Sequence, residues 1–548
     1  MASDTQLINH VFGLVSNSRF NEIKTLLEPN FKKICKIAPL LNALGISYIE
    51  SSQYDKAIDV LQKSLKISAK QAAVYNLLGI AYKSKRINFE AIRYLKKGLS
   101  IDKTFGPLYC NLGLAYMQVG ESSLAVENLE KALEYSDEED LYQIYHGILF
   151  AKQHDLSATN EEFLALAKKV YELVFAAIPK KTHAKRPVGN KIKLGYLSGD
   201  MRQHPVGDFF ANIMLNHNRD EFEIYSYDNK GQIDHINQIV RDNSDQFFDI
   251  SKMKDSELTE LIYSHDLDLL VDMSGITEYN RLAVLASKPA RLQALWIGYF
   301  GTLGMPEMDY LIGDHNTLEQ GDEKWYLEKL YRLPYSYLPG EPWGIDQEIR
   351  ELPFFRNGYI TFGAFNKMPK ITPEVMEVWT KVLKRVPNSK LLFKNTCLGE
   401  EFTCKKVTEF FTSRGIEKDR IILESFSPRN EFLDRYNEVD ISLDSFPYGG
   451  GVTTIESLTM GVPVITWHGD RWMCRASSSY LRVLGYDELV AVTLEDYVEK
   501  AVNLASEIDA LKSYRSELRT KIKASEINAK NHVKHFETAV KEIIGKNT

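Results

Sequence analysis

SFPYGGGVTTIESLTMGVPVI, residues 445–465, puts three consecutive glycines, Gly449 to Gly451, directly before two threonines and an amphipathic run. The run stops at Gly461-Val462-Pro463. Glycine lets backbone N–H groups approach a ligand closely. A helix starting just after such a turn aims unpaired N–H groups and the positive end of its dipole at the same point. Upstream, DISLDS (440–445) reads as a strand, Phe446 to Gly451 as the turn, and Thr453 to Met460 as the helix. Strand, glycine turn and helix in that order make one step of a parallel α/β sheet, where ligands sit beyond the carboxyl ends of the strands. Taken alone, the turn reads equally as an anion site or as an ordinary strand-to-helix connection.

The same cadence extends to both sides. YITFGAFN (359–366), KLLFKN (390–395), RIILES (420–425), PVITW (463–467) and LVAVT (489–493) are short apolar runs, with helical patterns such as TPEVMEVWTKVLKRV (372–386) between them. An earlier series holds LGYLSGD (194–200), FEIYSYD (222–228), DLLVDMSG (268–275), LQALWIGY (292–299) and MDYLIGD (308–314). The segment 338–358, rich in proline and glycine, separates the two series. Two consecutive doubly wound domains are predicted, with a cleft between them. The glycine spacing is neither GxGxxG nor GxxxxGK[ST], which argues against a dinucleotide dehydrogenase and a P-loop enzyme. Asp266-Leu267-Asp268 has the form of a DxD metal motif but lies at the edge of a predicted strand, so it reads as structural.

The first third repeats. Gly45, Gly79 and Gly113 follow one another at a spacing of 34, as do Tyr48, Tyr82 and Tyr116, and Ala57, Ala91 and Ala125. That period with Leu-Gly-x-x-Tyr and a later Ala is the tetratricopeptide signature. Small Gly and Ala let the two helices of each hairpin approach, and Tyr and Leu fill the space between. Such arrays offer a concave surface to extended partners. Asn42, Asn76 and Asn111 either hydrogen-bond a partner's backbone or are surface asparagines, and the second reading is preferred. A helical hairpin is expected before the repeats, around residues 5–35.

Composition sets the limits. With 44% hydrophobic and 26% charged residues, the 548-residue chain can bury a sizeable core. A net charge of −7 gives no global basic field for nucleic acid. The cluster from Pro179 to Arg186 reads as a solvated linker. Five cysteines, an odd count without a CxxC spacing, argue against a disulfide framework and a zinc site and fit a reducing compartment. No apolar run is long enough to span a membrane, and the N-terminus lacks the pattern of a cleaved signal, so a cytoplasmic protein is expected.

Taken together, LGYLSGDMRQHPVGDFF (194–210), the block 270–314, FGAFNKMPKITPEVMEVWTKVLKRVPNSKLLF (362–393) and the block 443–481 resemble the protein O-linked N-acetylglucosaminyltransferase family. The likeness runs from about residue 40 to about residue 515. It implies a GT-B fold and inverting, metal-independent transfer of N-acetylglucosamine or a related sugar from a uridine diphosphate donor to Ser or Thr of a polypeptide. UDP-glucose-dependent transfer to Asn, or a catalytically inactive nucleotide-binding scaffold, are the alternatives. Lys370 matches the family's essential lysine, and His204 its acceptor-side histidine, with a role in orienting or deprotonating the acceptor hydroxyl. Asn366 and Lys367 are implied as donor contacts. Gly450, Gly451, Val452, Thr453 and Thr454 are implied to offer amides to the phosphates. Glu456 is implied at the ribose, and Ser427, Arg429 and Phe432 at the uracil. Many relatives carry His where this chain has Ile276. No cofactor or metal is implied, and the partners are a polypeptide acceptor and a UDP-sugar.

The expected organisation is therefore α plus α/β. It comprises a helical segment (1–37), about three tetratricopeptide repeats (38–140), a helical linker (141–190), an acceptor-side Rossmann-like domain (191–340), a linker (341–358), a nucleotide-sugar-side Rossmann-like domain (359–515) and a charged helical tail (516–548).

Overall fold

The computed structural model describes residues 2–184, 187, 189–341 and 344–547. Lys185 and Arg186 of the basic cluster, and Pro342 and Trp343 of the second linker, lie outside the described residues. The chain divides into two compact units, Met1–Asp155 with Cys397–Val407, and Leu156–Thr396 with Thr408–Thr548.

In the first unit, three helix pairs follow the repeat: Ala38–Glu50 with Tyr54–Ile67, Ala72–Ser84 with Asn88–Leu99, and Gly106–Gln118 with Ser122–Glu134. Helices Ala2–Ser16 and Phe20–Leu27 precede them. The role of the repeated glycine is steric. A Cβ at Gly45, Gly79 or Gly113 would fall 2.6, 2.5 or 2.6 Å from the side chain of Leu61, Leu95 or Leu129 on the paired helix. Ala57, Ala91 and Ala125 are fully buried at the same crossings. The asparagines are not free surface groups. Asn111 Nδ2 donates to Asn76 Oδ1 at 3.0 Å, and Asn42 Nδ2 donates to Gln71 at 2.9 Å. Asn76 is buried.

The second unit holds two parallel sheets. The first is built from β1 (Ile192–Ser198), β2 (Phe222–Asp228), β3 (Gln246–Asp249), β4 (Leu269–Asp272), β5 (Leu292–Leu295), β6 (Tyr310–Asp314) and β7 (Lys329–Leu333). Its order is β3-β2-β1-β4-β5-β6-β7. The second is built from β8 (Thr361–Ala364), β9 (Lys390–Lys394), β10 (Ile421–Glu424), β11 (Ile441–Leu443), β12 (Val464–Trp467) and β13 (Val490–Ala491), in the order β10-β9-β8-β11-β12-β13. In each sheet the order reverses beside the first strand, between β1 and β4 and between β8 and β11. Those reversals open a crevice at the carboxyl ends.

β3 and β7 were not expected from the sequence. Both are edge strands of mixed exposure, so neither carries a continuous apolar run. The charged helical tail begins earlier than expected and packs on both sheet domains. Two helices form, Ile508–Ala524 and Ala529–Gly545. The first lies on the second sheet domain, where Arg515 donates to the carbonyls of Met460 (3.1 Å) and Val439 (2.7 Å). The second returns to the first sheet domain. There Phe536 stacks on Trp296 at 4.1 Å, and Glu537 Oε1 accepts the Asn218 N–H at 2.7 Å. Arg515 and Glu537 apart, most of the charges lie on the outer face, while Leu511, Leu518, Val533, Phe536, Val540 and Ile543 recur at helical spacing on the buried one.

Candidate active site

The site is built around Asp444, the residue after β11. Its Oδ1 accepts from Asn366 Nδ2 (3.0 Å), the Ser445 N–H (2.9 Å) and the Gly450 N–H (2.7 Å), while Oδ2 accepts from Thr466 Oγ1 (2.8 Å). One carboxylate thus ties the end of β8, the end of β11 and the glycine turn together across the switch point. Asn366 also donates to Ser445 Oγ (2.7 Å) and accepts from Thr453 Oγ1 (2.6 Å). A Cβ at Gly450 would fall 2.3 Å from Thr454 Oγ1, whereas one at Gly451 would meet only the Tyr337 hydroxyl, at 4.0 Å.

The helix after the turn is Val452–Thr459. Its ladder opens with Ile455 N–H donating to the Gly451 carbonyl at 3.1 Å. The N–H groups of Val452, Thr453 and Thr454 therefore precede the first intrahelical bond and are the ones offered outward. Gly450 differs from the expectation, because its N–H is committed to Asp444. The Thr454 hydroxyl is committed too, to Ser477 Oγ at 2.7 Å.

Lys370 closes the single turn Met368–Lys370 after β8. Its Nζ donates to the Gly449 carbonyl at 2.7 Å and lies 3.9 Å from the centre of the Tyr448 ring. Burial drives its pKa down to about 7, against the pull of Asp444. Lys367 is exposed, and its charge acts on Asp200 and His204 of the other sheet domain. The two carboxyl-end faces meet here.

His204 caps the helix Pro205–Asn216. Its Nδ1 accepts the Val206 N–H at 3.3 Å and lies 3.4 Å from Asp200 Oδ1. Burial, with Lys367 and Arg202 adding positive charge, lowers its pKa to about 3. Burial raises Asp200 to about 6. An imidazole whose Nδ1 accepts the cap bond carries its proton on Nε2. That tautomer suits orienting a hydroxyl, and burial lowers the basicity of the ring.

Arg429 and Glu456, expected at uracil and ribose, form an ion pair with each other. Glu456 is buried, and the Tyr436 hydroxyl donates to its second oxygen at 3.4 Å. Asp208, on the helix that His204 caps, bears electrostatically on Arg429, and burial lifts its carboxyl to about 6. The Ser427 hydroxyl nearby is buried without a partner among the described residues. Phe432 packs edge-on against Phe365 (5.5 Å) and Tyr436 (6.1 Å), half-buried at the margin of a small core.

The sequence matches glycosyl transferase family 41 over residues 143–352 and 348–536, and tetratricopeptide repeat families over 45–85 and 106–139. The chain belongs to glycosyl transferase family 41.

Similar to this family 41 chain are the probable UDP-N-acetylglucosamine–peptide N-acetylglucosaminyltransferases SPINDLY of Solanum lycopersicum and Hordeum vulgare. They are 34% and 35% identical over 335 residues, which is 60% of this chain and 36% and 35% of the relatives. The chain spans about a third of the length of these curated relatives. A solved structure of a mutant O-GlcNAc transferase from Thermobaculum terrenum is 28% identical. It covers 93% of this chain and 99% of its own, with a TM-score of 0.84. A tetratricopeptide array followed by a GT-B pair of Rossmann-like domains is therefore the family 41 architecture in this chain.

Several residues of this candidate site were missed from the sequence: Asp444, Tyr448, Tyr337, Asp200 and Asp208. Asp444 and Tyr448 lie inside the quoted stretch, and an acid closing a switch-point strand is a legible signal. Tyr337 carried none, since only the fold brings it to Gly451. Asp266 and Asp268 serve the scaffold. Asp266 ends a helix at φ +52° and pairs with Arg291 at 2.6 Å, and Asp268 accepts the Lys193 N–H at 2.9 Å. Among the described residues, no group of three or more His, Cys, Asp or Glu side chains is placed to hold a metal ion, and no helix is long and apolar enough to cross a membrane.

Proposed function

We propose that this chain is an inverting glycosyltransferase that moves N-acetylglucosamine or a related sugar from UDP to a Ser or Thr hydroxyl of a polypeptide, without a metal ion. One observation carries the reading: the Lys370 amine sits at the glycine turn beside the open amino end of the helix Val452–Thr459. When the acceptor oxygen attacks the sugar C1, the bond from C1 to the phosphate oxygen breaks and its electron pair stays on the diphosphate. An ammonium and fixed amides stabilise that charge where it develops. The His204 Nε2–H orients the acceptor, and Asp200, with a carboxyl near 6, is the adjacent proton acceptor of better-matched basicity.

Likeness to the plant probable UDP-N-acetylglucosamine–peptide N-acetylglucosaminyltransferases supports N-acetylglucosamine and a peptide acceptor. The repeats supply a surface for that peptide, and five cysteines outside any disulfide fit a cytoplasmic setting. The test is incubation with UDP-N-acetylglucosamine, UDP-glucose and other nucleotide sugars in the presence of candidate acceptor proteins, read by mass spectrometry. N-acetylhexosamine on Ser or Thr supports the reading. Hexose on Asn replaces both sugar and acceptor. Nucleotide binding with no sugar lost over long incubation makes the chain a scaffold.

A further inference from the structure

Tyr337 lies just past β7 in the first sheet domain and is fully buried. Its backbone is well held: the N–H donates to Asp314 Oδ2 at 2.7 Å, and the carbonyl accepts from Trp296 Nε1 at 2.9 Å. Its ring packs edge-on against Trp472 (5.4 Å) and Phe300 (5.8 Å), and Phe300 in turn meets Tyr448 at 5.9 Å. The hydroxyl at the end of this fixed ring has no hydrogen-bond partner among the described residues. Leaving a buried hydroxyl unpaired costs about 1–3 kcal/mol, so an enclosed donor of this kind calls for an acceptor.

The surroundings say what kind. The hydroxyl is the nearest group to the Cβ position of Gly451, at 4.0 Å, where the helix Val452–Thr459 begins. It also bears electrostatically on Tyr448, the ring over which the Lys370 ammonium sits. The phenol thus faces the start of that helix, and the Lys370 amine is held on the Gly449 carbonyl of the same glycine turn. Burial raises the phenol's pKa well above its ordinary value, so it stays protonated and can only donate to an anion.

We propose that the Tyr337 hydroxyl donates a hydrogen bond to the diphosphate of the nucleotide-sugar donor, making it a donor-binding and leaving-group residue supplied by the opposite sheet domain. This rests on the reading of the chain as a nucleotide-sugar transferase. It adds a contact in which the first sheet domain grips the leaving group itself.

Tyr337→Phe removes a single oxygen. The test measures UDP and uridine binding by calorimetry, donor turnover and thermal stability, on the full chain with and without the substitution. UDP affinity and turnover are expected to fall about ten-fold or more, as for a lost hydrogen bond to a charged group. Uridine affinity stays within two-fold, and the melting temperature holds or rises because an unpaired polar group has been removed. UDP binding and turnover within two-fold of the unsubstituted protein overturn the proposal. So does a loss confined to the UDP-sugar with UDP unchanged, which moves the contact to the sugar. A lower melting temperature with unchanged UDP affinity makes the hydroxyl merely structural. An unsubstituted protein that binds no nucleoside diphosphate removes both this proposal and the transferase reading.

Discussion

The Lys370 amine gives the sharpest prediction. In the free protein burial holds its pKa near 7, far below an ordinary lysine. A diphosphate placed against it favours the ammonium and returns the pKa to about 10. Between these values the free protein holds the amine neutral and the complex holds it charged, so binding takes up a proton. The sign follows: affinity for UDP is full below pH 7 and weakens as pH rises. From pH 7.5 to 9 the dissociation constant should rise about 20-fold, or about 1.8 kcal/mol. Calorimetry in buffers of different ionisation enthalpy should count close to one proton taken up at pH 8.5. Lys370→Met should bind weakly with a flat profile over the same range. A flat profile in the unsubstituted protein, or the same slope in the variant, refutes the assignment of the charge to this amine.

Other substitutions test the rest of the architecture. Arg429→Ala strands the buried Glu456 carboxylate and should cost about 2–4 kcal/mol in chemical denaturation, with weaker UDP binding; unchanged stability would mean the ion pair is not the anchor described. His204→Asn keeps a good helix cap, so the melting temperature should hold while turnover falls at least about ten-fold. The unsubstituted enzyme should show no acidic limb near pH 6.5 from this histidine; such a limb, abolished in the variant, would restore it as the base. Gly113→Ala pushes a methyl to 2.6 Å from Leu129 and 2.9 Å from the Ala125 carbonyl. Crowding of about 1–3 kcal/mol outweighs a helix-propensity gain of about 1, so the repeats should melt earlier.

Much of this was legible because local rules and tertiary demands coincide. The 34-residue spacing announced the helical crossings, since a glycine there has a steric reason that a sequence can carry. Strands with central positions, such as Phe222–Asp228, read cleanly because both faces are covered. β3 and β7 did not, because Gln246 and Asp249 in the one, and Lys329 and Arg332 in the other, interrupt the apolar run. Within the site, Lys370 and the glycine turn were legible as a pair. Their connection through Asp444 was not, because a hydrogen-bond hub is a property of assembled neighbours. Glu456 and Arg429 show the same limit: as separate residues they suggested contacts to two parts of a nucleoside, and only the fold reveals that they hold each other. The tail read as helical, but its buried face did not, because its charges were counted without their helical phase.

The account stands on the departing diphosphate meeting the Lys370 amine and the amino end of the helix Val452–Thr459. A crystal structure with UDP bound tests this directly. The account predicts Lys370 Nζ released from the Gly449 carbonyl and within about 3.2 Å of a diphosphate oxygen, with the amides of Val452 to Thr454 on the same group. A diphosphate bound elsewhere, with Nζ still on Gly449, would contradict it.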